Sequence, residues 1–345
     1  MSLKSEIFEQ PLVLAGLLEN GMEGVREIAH QIRAREVDYV FLAARGTSDN
    51  AGLYAKYLWG AFNRLPIALA APSLFSVYGT PPTLRNALVV GISQSGQSPD
   101  IVKTVAEGRR QGAATLVITN DTGSPLAQIA EFVISTSAGI EEAVAATKTY
   151  TTQLMAIAML SVALSEESAR LAELRRVPTL VQQALALDDI IERVAERYGY
   201  MEQCVVLGRG YNYATAFEWA LKLKELAYVV AEPYSSADFQ HGPIALVSQG
   251  FPVLAVVPGG AVFDDLLTLL SSLVSGHRVE LLAISNEEEA LSLAHAPLRL
   301  PTELPEWLSP LVSIVPAQLF CYHLTKAKGY DTEAPRGLRK VTRTC

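Results

Sequence analysis

The segment 87–98 reads Ala-Leu-Val-Val-Gly-Ile-Ser-Gln-Ser-Gly-Gln-Ser, and it indicates the fold class of the chain. Its apolar half, Ala87 to Ile92, predicts a buried strand, and the following residues 100–111 have a helical pattern. The turn between them points backbone N–H groups, Ser hydroxyls and a helix N-terminus at one place. We expect it to bind phosphate, in a monoester, because no Gly-Lys-Ser/Thr follows. A Ser-rich helix cap without a ligand is the alternative.

The composition narrows the class of protein. The chain has 345 residues, is half hydrophobic and carries a net charge of −8, which fits one large or two medium domains and argues against nucleic acid. The three cysteines have no metal or redox spacing, so we expect a reducing cytoplasm. The apolar stretch 154–164 is shorter than the ~18 residues of a membrane span. We therefore expect no metal and no membrane partner.

The chain repeats itself with an offset of about 166 residues. The apolar run ending in Arg45-Gly46 has a counterpart ending in Arg209-Gly210, and residues 116–120 correspond to residues 282–286. Each copy alternates short apolar strands with helices, which predicts a parallel sheet covered on both faces. The sequence thus predicts an α/β protein of two tandem, doubly wound, flavodoxin-like domains related by duplication.

The predicted domains are residues 1–165, with the phosphate loop, and residues 191–335. A charged linker, 166–190, joins them, and a basic tail, 336–345, is expected to close on the site. Doubly wound sheets bind ligands beyond the C-terminal ends of their strands. In the second copy Val-Pro-Gly-Gly at 257–260 replaces the Ser-rich turn, so we expect one phosphate site per chain.

Three groups are candidates for acid–base or covalent chemistry. Glu218, Lys222 and Glu225 share one face of a predicted helix, 213–228, at a strand end. A solvated salt-bridge ladder is the alternative. His241 precedes a Gly-Pro pair and is predicted in a turn, as a proton carrier or a helix cap. For Lys340, in the basic tail, a disordered tail is the alternative.

Taken together, these pieces resemble the sugar-isomerase (SIS) domain family, including the isomerase half of glucosamine-6-phosphate synthase. The resemblance implies a cofactor-free tandem-SIS homodimer that binds a hexose 6-phosphate. Matching segments run from end to end of the chain: residues 6–11, 46–48, 93–96, 145–148, 220–225, 241–243 and 335–340.

The resemblance also implies roles for single residues. Glu225 is implied as the base that moves a proton between C1 and C2, with Lys222 beside it. His241 is implied as the ring-opening residue, supplied by the neighbouring subunit. Lys340 is implied to form a Schiff base with the open ketose. The implied sugar-phosphate contacts are Thr47, Ser48, Ser93, Gln94, Ser95, Ser98 and Val144.

The departures from the synthase suggest a direction for the reaction. Met1 lies almost at the start of the isomerase half, so we expect no glutamine-derived ammonia. Arg45 replaces a Cys and Arg339 an Ala, which adds positive charge. We expect a deaminase that converts glucosamine 6-phosphate to fructose 6-phosphate and ammonia. The alternatives are a fructosamine-phosphate deglycase, a galactosamine-phosphate enzyme, a simple sugar-phosphate isomerase or a non-enzymatic sugar-phosphate sensor.

Overall fold

The computed structural model describes residues 2–340 and divides them into two compact units. The N-terminal unit comprises Leu12–Glu141, Lys148–Arg175 and residues 339–340. The C-terminal unit comprises residues 2–11, Glu142–Thr147 and Arg176–Leu338. The rest of the predicted tail, 341–345, lies outside the described residues.

The N-terminal unit is built on a parallel sheet of five strands in the order β2-β1-β3-β4-β5. Strands β3 and β4 are buried at every position, as expected for a sheet with helices on both faces. Helix α1 (Leu3–Phe8) begins the chain and belongs to the C-terminal unit. The elements that follow are α2 (Gln10–Arg33), β1 (Tyr39–Ala43), α3 (Thr47–Asn63), β2 (Ile67–Leu69), α4 (Ser73–Ser76), β3 (Ala87–Ile92), α5 (Pro99–Arg110), β4 (Ala114–Thr119), α6 (Pro125–Ile129), β5 (Phe132–Ser135) and α7 (Lys148–Ser165).

The C-terminal unit repeats this architecture in a second five-stranded parallel sheet, with the order β10-β9-β8-β6-β7. Counted along the chain, both sheets have the flavodoxin-like order 2-1-3-4-5, which confirms the predicted fold. Helix α8 (Ser168–Leu174) still belongs to the N-terminal unit. The elements after it are α9 (Val177–Leu185), α10 (Asp188–Arg197), β6 (Gln203–Gly208), α11 (Tyr213–Lys222), β7 (Val230–Ser235), α12 (Ser236–Gln240), β8 (Pro252–Val256), α13 (Phe263–Ser272), β9 (Glu280–Ser285), α14 (Glu288–Leu293), β10 (Ala296–Arg299) and α15 (Ser309–Ala327).

The predicted linker, 166–190, folds as helices. In α9 the apolar residues Val177, Leu180, Val181 and Ala184 are spaced along one helical face, and all four are buried. Helix α9 packs against α15 within the C-terminal unit. The segment is thus a helical connection with a buried apolar face, and its charged residues are exposed or half-buried.

Helix α15 forms the centre of the C-terminal unit. Within residues 2–340, Glu306–Ala327 is the one helical segment long and apolar enough to cross a membrane. However, 94% of its apolar window is buried inside the protein, where α15 packs against α9, α10 and α11. Burial on all sides accounts for its apolar composition, as expected for a core helix.

The predicted helix 213–228 is not regular throughout. Helix α11 ends at Lys222, and one π-helical turn, Leu223–Ala227, follows it. Tyr228 ends the turn in the left-handed conformation, with φ 55°, and donates its backbone N–H to the Leu223 carbonyl. Single π-turns are frequent at functional sites, and this one contains Glu225.

Candidate functional site

The predicted phosphate loop joins β3 to α5, as the sequence indicated. The Ser93 hydroxyl accepts the Gly96 backbone N–H at 3.1 Å, and Ser98 is the N-cap residue of α5. Gly96 has φ 61°, and a Cβ there would lie 2.0 Å from the Ser124 Oγ, so only glycine fits. Backbone bonds from Ser93 to β4 and from Leu126 to Gly96 pin the loop to the neighbouring strand and helix.

Thr47 and Ser48 lie at the same edge of the sheet as the phosphate loop. Strands β1 and β3 are adjacent and parallel, so the loops after their C-terminal ends are neighbours at the switch point of the sheet. Thr47 begins α3, and Ser48 is buried and accepts the Gln153 side-chain amide at 3.1 Å. Two helix N-termini, of α3 and α5, therefore face this edge and favour an anion.

Arg45 does not add a free positive charge to this edge. Its guanidinium binds the Asp100 carboxylate through two nitrogens, at 2.8 and 2.7 Å. Asp100 is fully buried in the first turn of α5, directly after the phosphate loop. The pair is therefore locally neutral, and Arg45 shields the loop from the charge of a buried carboxylate.

Lys340 lies in the N-terminal unit, joined to a residue that the sequence interpretation missed. Its Nζ donates to Oε2 of Glu141 at 2.6 Å. The same carboxylate accepts the Gln94 side-chain amide at 3.1 Å and the Thr149 hydroxyl at 2.7 Å. Glu141 is buried. It precedes a second glutamate, Glu142, in a loop, and from sequence both glutamates are expected to be exposed. No sequence signal distinguishes it.

The predicted acid–base pair forms a buried cluster in the C-terminal unit. The Lys222 Nζ lies 2.5 Å from the Glu225 carboxylate and 3.4 Å from that of Glu218. Lys222 and Glu218 are almost completely buried, whereas 24% of the Glu225 side chain is exposed. A solvated salt-bridge ladder is therefore wrong for this helix. The arrangement leaves one carboxylate accessible and holds it with an ammonium.

His241 occupies a turn, as its Gly-Pro neighbours predicted. It is the C-cap residue of α12, and its backbone N–H bonds to the Asp238 carbonyl while the side chain is exposed. Gly242 has φ 137°, and a 3₁₀ turn begins at Pro243. Within residues 2–340, no hydrogen bond or ion pair joins the His241 ring to the Lys222–Glu225 cluster, so its predicted role stays a prediction.

Val144 lies in the segment 142–147, which belongs to the C-terminal unit although it precedes α7 in the chain. Glu6 of α1 fixes this segment. Its buried carboxylate accepts the backbone N–H groups of Glu142 at 2.5 Å and of Ala143 at 3.2 Å. This contact joins the N-terminal residues to the segment 142–147 within one compact unit. The domain bounds 1–165 and 191–335 stay a prediction.

The C-terminal unit has its own carboxylate in the place that corresponds to the phosphate loop. The Ala261 backbone N–H, just before α13, donates to the Glu306 carboxylate at 2.8 Å. The Gly259 N–H donates to the Asn286 side chain at 2.9 Å. Gly260 is so close to Glu306 that a Cβ would lie 2.3 Å away. Internal acceptors thus occupy these donors, in line with one phosphate site per chain.

The chain belongs to the SIS domain family, because the family model matches it twice, at residues 35–163 and 201–327. The glutamine–fructose-6-phosphate aminotransferase of Thermus thermophilus is 37% identical over 97% of this chain. That alignment covers 57% of the relative, so the chain spans little more than half of its length. The resemblance to tandem SIS proteins is therefore confirmed.

Solved structures support the same assignment. The C-terminal domain of glucosamine-fructose-6-phosphate aminotransferase from Francisella tularensis superposes with a TM-score of 0.86 at 30% identity, over 96% of this chain and 98% of that chain. A glucosamine-6-phosphate deaminase from Thermotoga maritima has a TM-score of 0.79 over the full length of both chains. At 21% identity, this second likeness shows the fold alone.

Proposed function

We propose that this chain is a phosphosugar isomerase that releases ammonia, converting glucosamine 6-phosphate to fructose 6-phosphate. The Lys222–Glu225 pair carries the proposal. Glu225 is accessible in part, it lies in a π-turn, and a buried ammonium orients its carboxylate at 2.5 Å. A positioned carboxylate of this kind can take a proton from one carbon and return it to the next.

The phosphate group of the substrate is assigned to the loop after β3. Ser93, Ser95 and Ser98 supply hydroxyls there, and the N-termini of α3 and α5 supply backbone N–H groups. These donors are neutral, which suits a sugar monophosphate. The family membership supports this assignment, because the C-terminal domain of an aminotransferase named for glucosamine-fructose 6-phosphate superposes on 96% of this chain.

The proposed reaction begins with ring opening, for which His241 is assigned because imidazole carries protons near neutral pH. Glu225 then removes the C2 proton of the open aldehyde, while O1 gains a proton, and an enolamine forms. Return of the proton to C1 gives a 2-imino sugar. Water adds at C2, the C–N bond breaks and ammonia leaves, so the C2 ketone of fructose 6-phosphate remains.

Lys340 is assigned to hold the open-chain ketose as a Schiff base, in which its Nζ bonds to C2 and water leaves. Val144 is assigned to the sugar, and Lys222 orients the base rather than reacting. We also propose that the chain acts as a homodimer in which His241 serves the site of the neighbouring subunit. We propose that the protein is located in the cytoplasm.

The test is an incubation of glucosamine 6-phosphate with the protein alone, without glutamine and with a chelator present. We expect fructose 6-phosphate and ammonia in equal amounts. Ammonia that forms only with glutamine, or activity lost on chelation, would contradict the proposal.

A substrate panel separates the alternatives. Ammonia from galactosamine 6-phosphate alone, or cleavage of fructosamine phosphates alone, would identify another SIS enzyme. Interconversion of hexose phosphates without any ammonia would identify a simple isomerase. Binding of hexose 6-phosphates without turnover of any would identify a sensor.

A further inference from the structure

Glu141 is a buried carboxylate with an unusual set of donors. Its Oε2 atom accepts from the side chains of Lys340 at 2.6 Å, Thr149 at 2.7 Å and Gln94 at 3.1 Å. The other oxygen accepts the Thr149 backbone N–H at 3.2 Å. No surface of the Glu141 side chain is exposed.

These donors come from three parts of the N-terminal unit. Gln94 belongs to the phosphate loop, Thr149 to the first turn of α7, and Lys340 to the tail. A buried carboxylate is costly unless an opposite charge and hydrogen bonds compensate it. Thr149 fixes the carboxylate to a buried helix, and Lys340 supplies the compensating charge. One atom therefore joins the tail lysine to the phosphate loop.

We propose that Glu141 is a positioning residue that fixes Lys340 next to the phosphate loop before any sugar binds. The inference rests on the proposed function, in which Lys340 reacts with the open sugar. A lysine side chain loses rotamer freedom when it is held in one place. Because the Glu141 carboxylate already holds Lys340, the substrate does not have to order this side chain.

The charges give this role a distinctive signature. Glu141→Gln removes one negative charge beside the phosphate loop and keeps the Lys340 cation. That change cannot weaken the attraction of a phosphate. We therefore expect Glu141→Gln to impair the chemistry of Lys340 while the affinity for inorganic phosphate is unchanged or higher.

The first experiment traps Lys340 with fructose 6-phosphate and borohydride, and mass spectrometry locates the modified residue. In Glu141→Gln we expect trapping and kcat to fall at least about tenfold, while the Kd for inorganic phosphate does not rise. Trapping at the wild-type rate would overturn the proposal. So would a parallel loss of phosphate affinity, because that indicates a general support of the loop.

Matched variants separate positioning from folding. Thr149→Val removes a hydroxyl donor but keeps the Thr149 backbone N–H and both charges, so trapping should fall less than in Glu141→Gln. Glu141→Asp keeps the charge with a shorter reach, and we expect partial trapping. In a Lys340→Met background, Glu141→Gln should cause no further loss of kcat. A further loss of kcat there would show that Glu141 acts other than through Lys340.

The second experiment needs no substrate. Limited trypsin digestion of the folded protein, followed by mass spectrometry, measures cleavage after Lys340. We expect cleavage to be at least about tenfold faster in Glu141→Gln than in Thr149→Val. Equal rates would overturn the positioning role. Faster cleavage in a protein that turns over no hexose phosphate would uphold that role and refute the proposed function.

Discussion

Lys222 has an environment that sets its chemical role. Burial alone would lower its pKa, but the carboxylates of Glu218 and Glu225 outweigh burial and raise the pKa above its usual value. The amine is therefore protonated at neutral pH, and because it is almost completely buried it is not accessible as a nucleophile. Its ion pair holds the Glu225 carboxylate, which is partly exposed.

Glu225→Gln tests the assigned base. The substitution keeps the shape of the side chain and removes the proton acceptor, so we expect kcat to fall by at least ~10²-fold. Exchange of the C2 proton with solvent, followed by NMR in deuterium oxide, should be lost in parallel. Glu289→Gln, an exposed change on α14, serves as the control. Exchange at the normal rate would mean that another residue is the base.

Ser93→Ala combined with Ser95→Ala tests the phosphate loop. Each hydroxyl is assigned a hydrogen bond to a dianion, worth ~1.5–3 kcal/mol. We expect KM to rise strongly with a smaller effect on kcat, since such contacts act equally in the ground and transition states. Initial rates with a hexose 6-phosphate give both constants, and exposed Ser292→Ala is the control. An unchanged KM would show that this loop does not bind the phosphate group.

At the scale of elements, the edge formed by β1, β3 and the starts of α3 and α5 depends on the Arg45–Asp100 pair. A carboxylate in the first turn of α5 benefits from the helix dipole but would oppose a phosphate at the same place. Arg45 compensates Asp100 from the end of β1, so the two elements are joined as well as neutralised.

Arg45→Met tests this pairing through stability. The substitution leaves the buried Asp100 carboxylate without this ion pair, which destabilises the fold. The Arg45 side chain is 51% exposed, so solvent weakens the pair. We therefore expect the free energy of unfolding to fall by about 1–2 kcal/mol. Adding Asp100→Asn should recover part of that loss, because the buried charge is gone. Urea unfolding of the single and double variants measures the coupling. Strictly additive losses would show that the pair contributes nothing.

At the scale of the whole molecule, the two units share one sheet order but differ in their loops. The N-terminal unit keeps hydroxyls at its switch point, whereas in the C-terminal unit Glu306 accepts the Ala261 N–H and Asn286 accepts the Gly259 N–H. The C-terminal unit instead carries the Lys222–Glu225 cluster and the exposed His241. Duplication thus gave two copies of one framework with different chemical groups.

Subunit sharing is testable by co-refolding. We expect His241→Asn and Glu225→Gln each to be nearly inactive, since one lacks the ring-opening group and the other the base. In a mixed twofold dimer, one site carries both lesions and the other none. Half of randomly formed dimers are mixed, so activity should recover to about a quarter of the wild-type value. Mixed dimers, demonstrated by affinity tags, with no recovery would contradict a shared site.

The sequence by itself determined the framework. Apolar runs such as Ala87 to Ile92, each followed by a polar turn and a helix, predict buried parallel strands. The internal repeat predicted two sheets. The same local patterns placed the phosphate loop, the face shared by Glu218, Lys222 and Glu225, and the turn at His241. These features depend on neighbours a few residues apart, which a sequence displays directly.

Only the tertiary structure decided which distant groups meet. Glu141 and Lys340 are far apart in the chain, as are Arg45 and Asp100, and an ion pair between them leaves no periodic pattern to read. The π-turn at Glu225 and the burial of Lys222 also depend on packing against other elements. Charged residues usually lie in solvent, so sequence favours exposure for each of them. Burial with a compensating partner is visible only once the chain has folded.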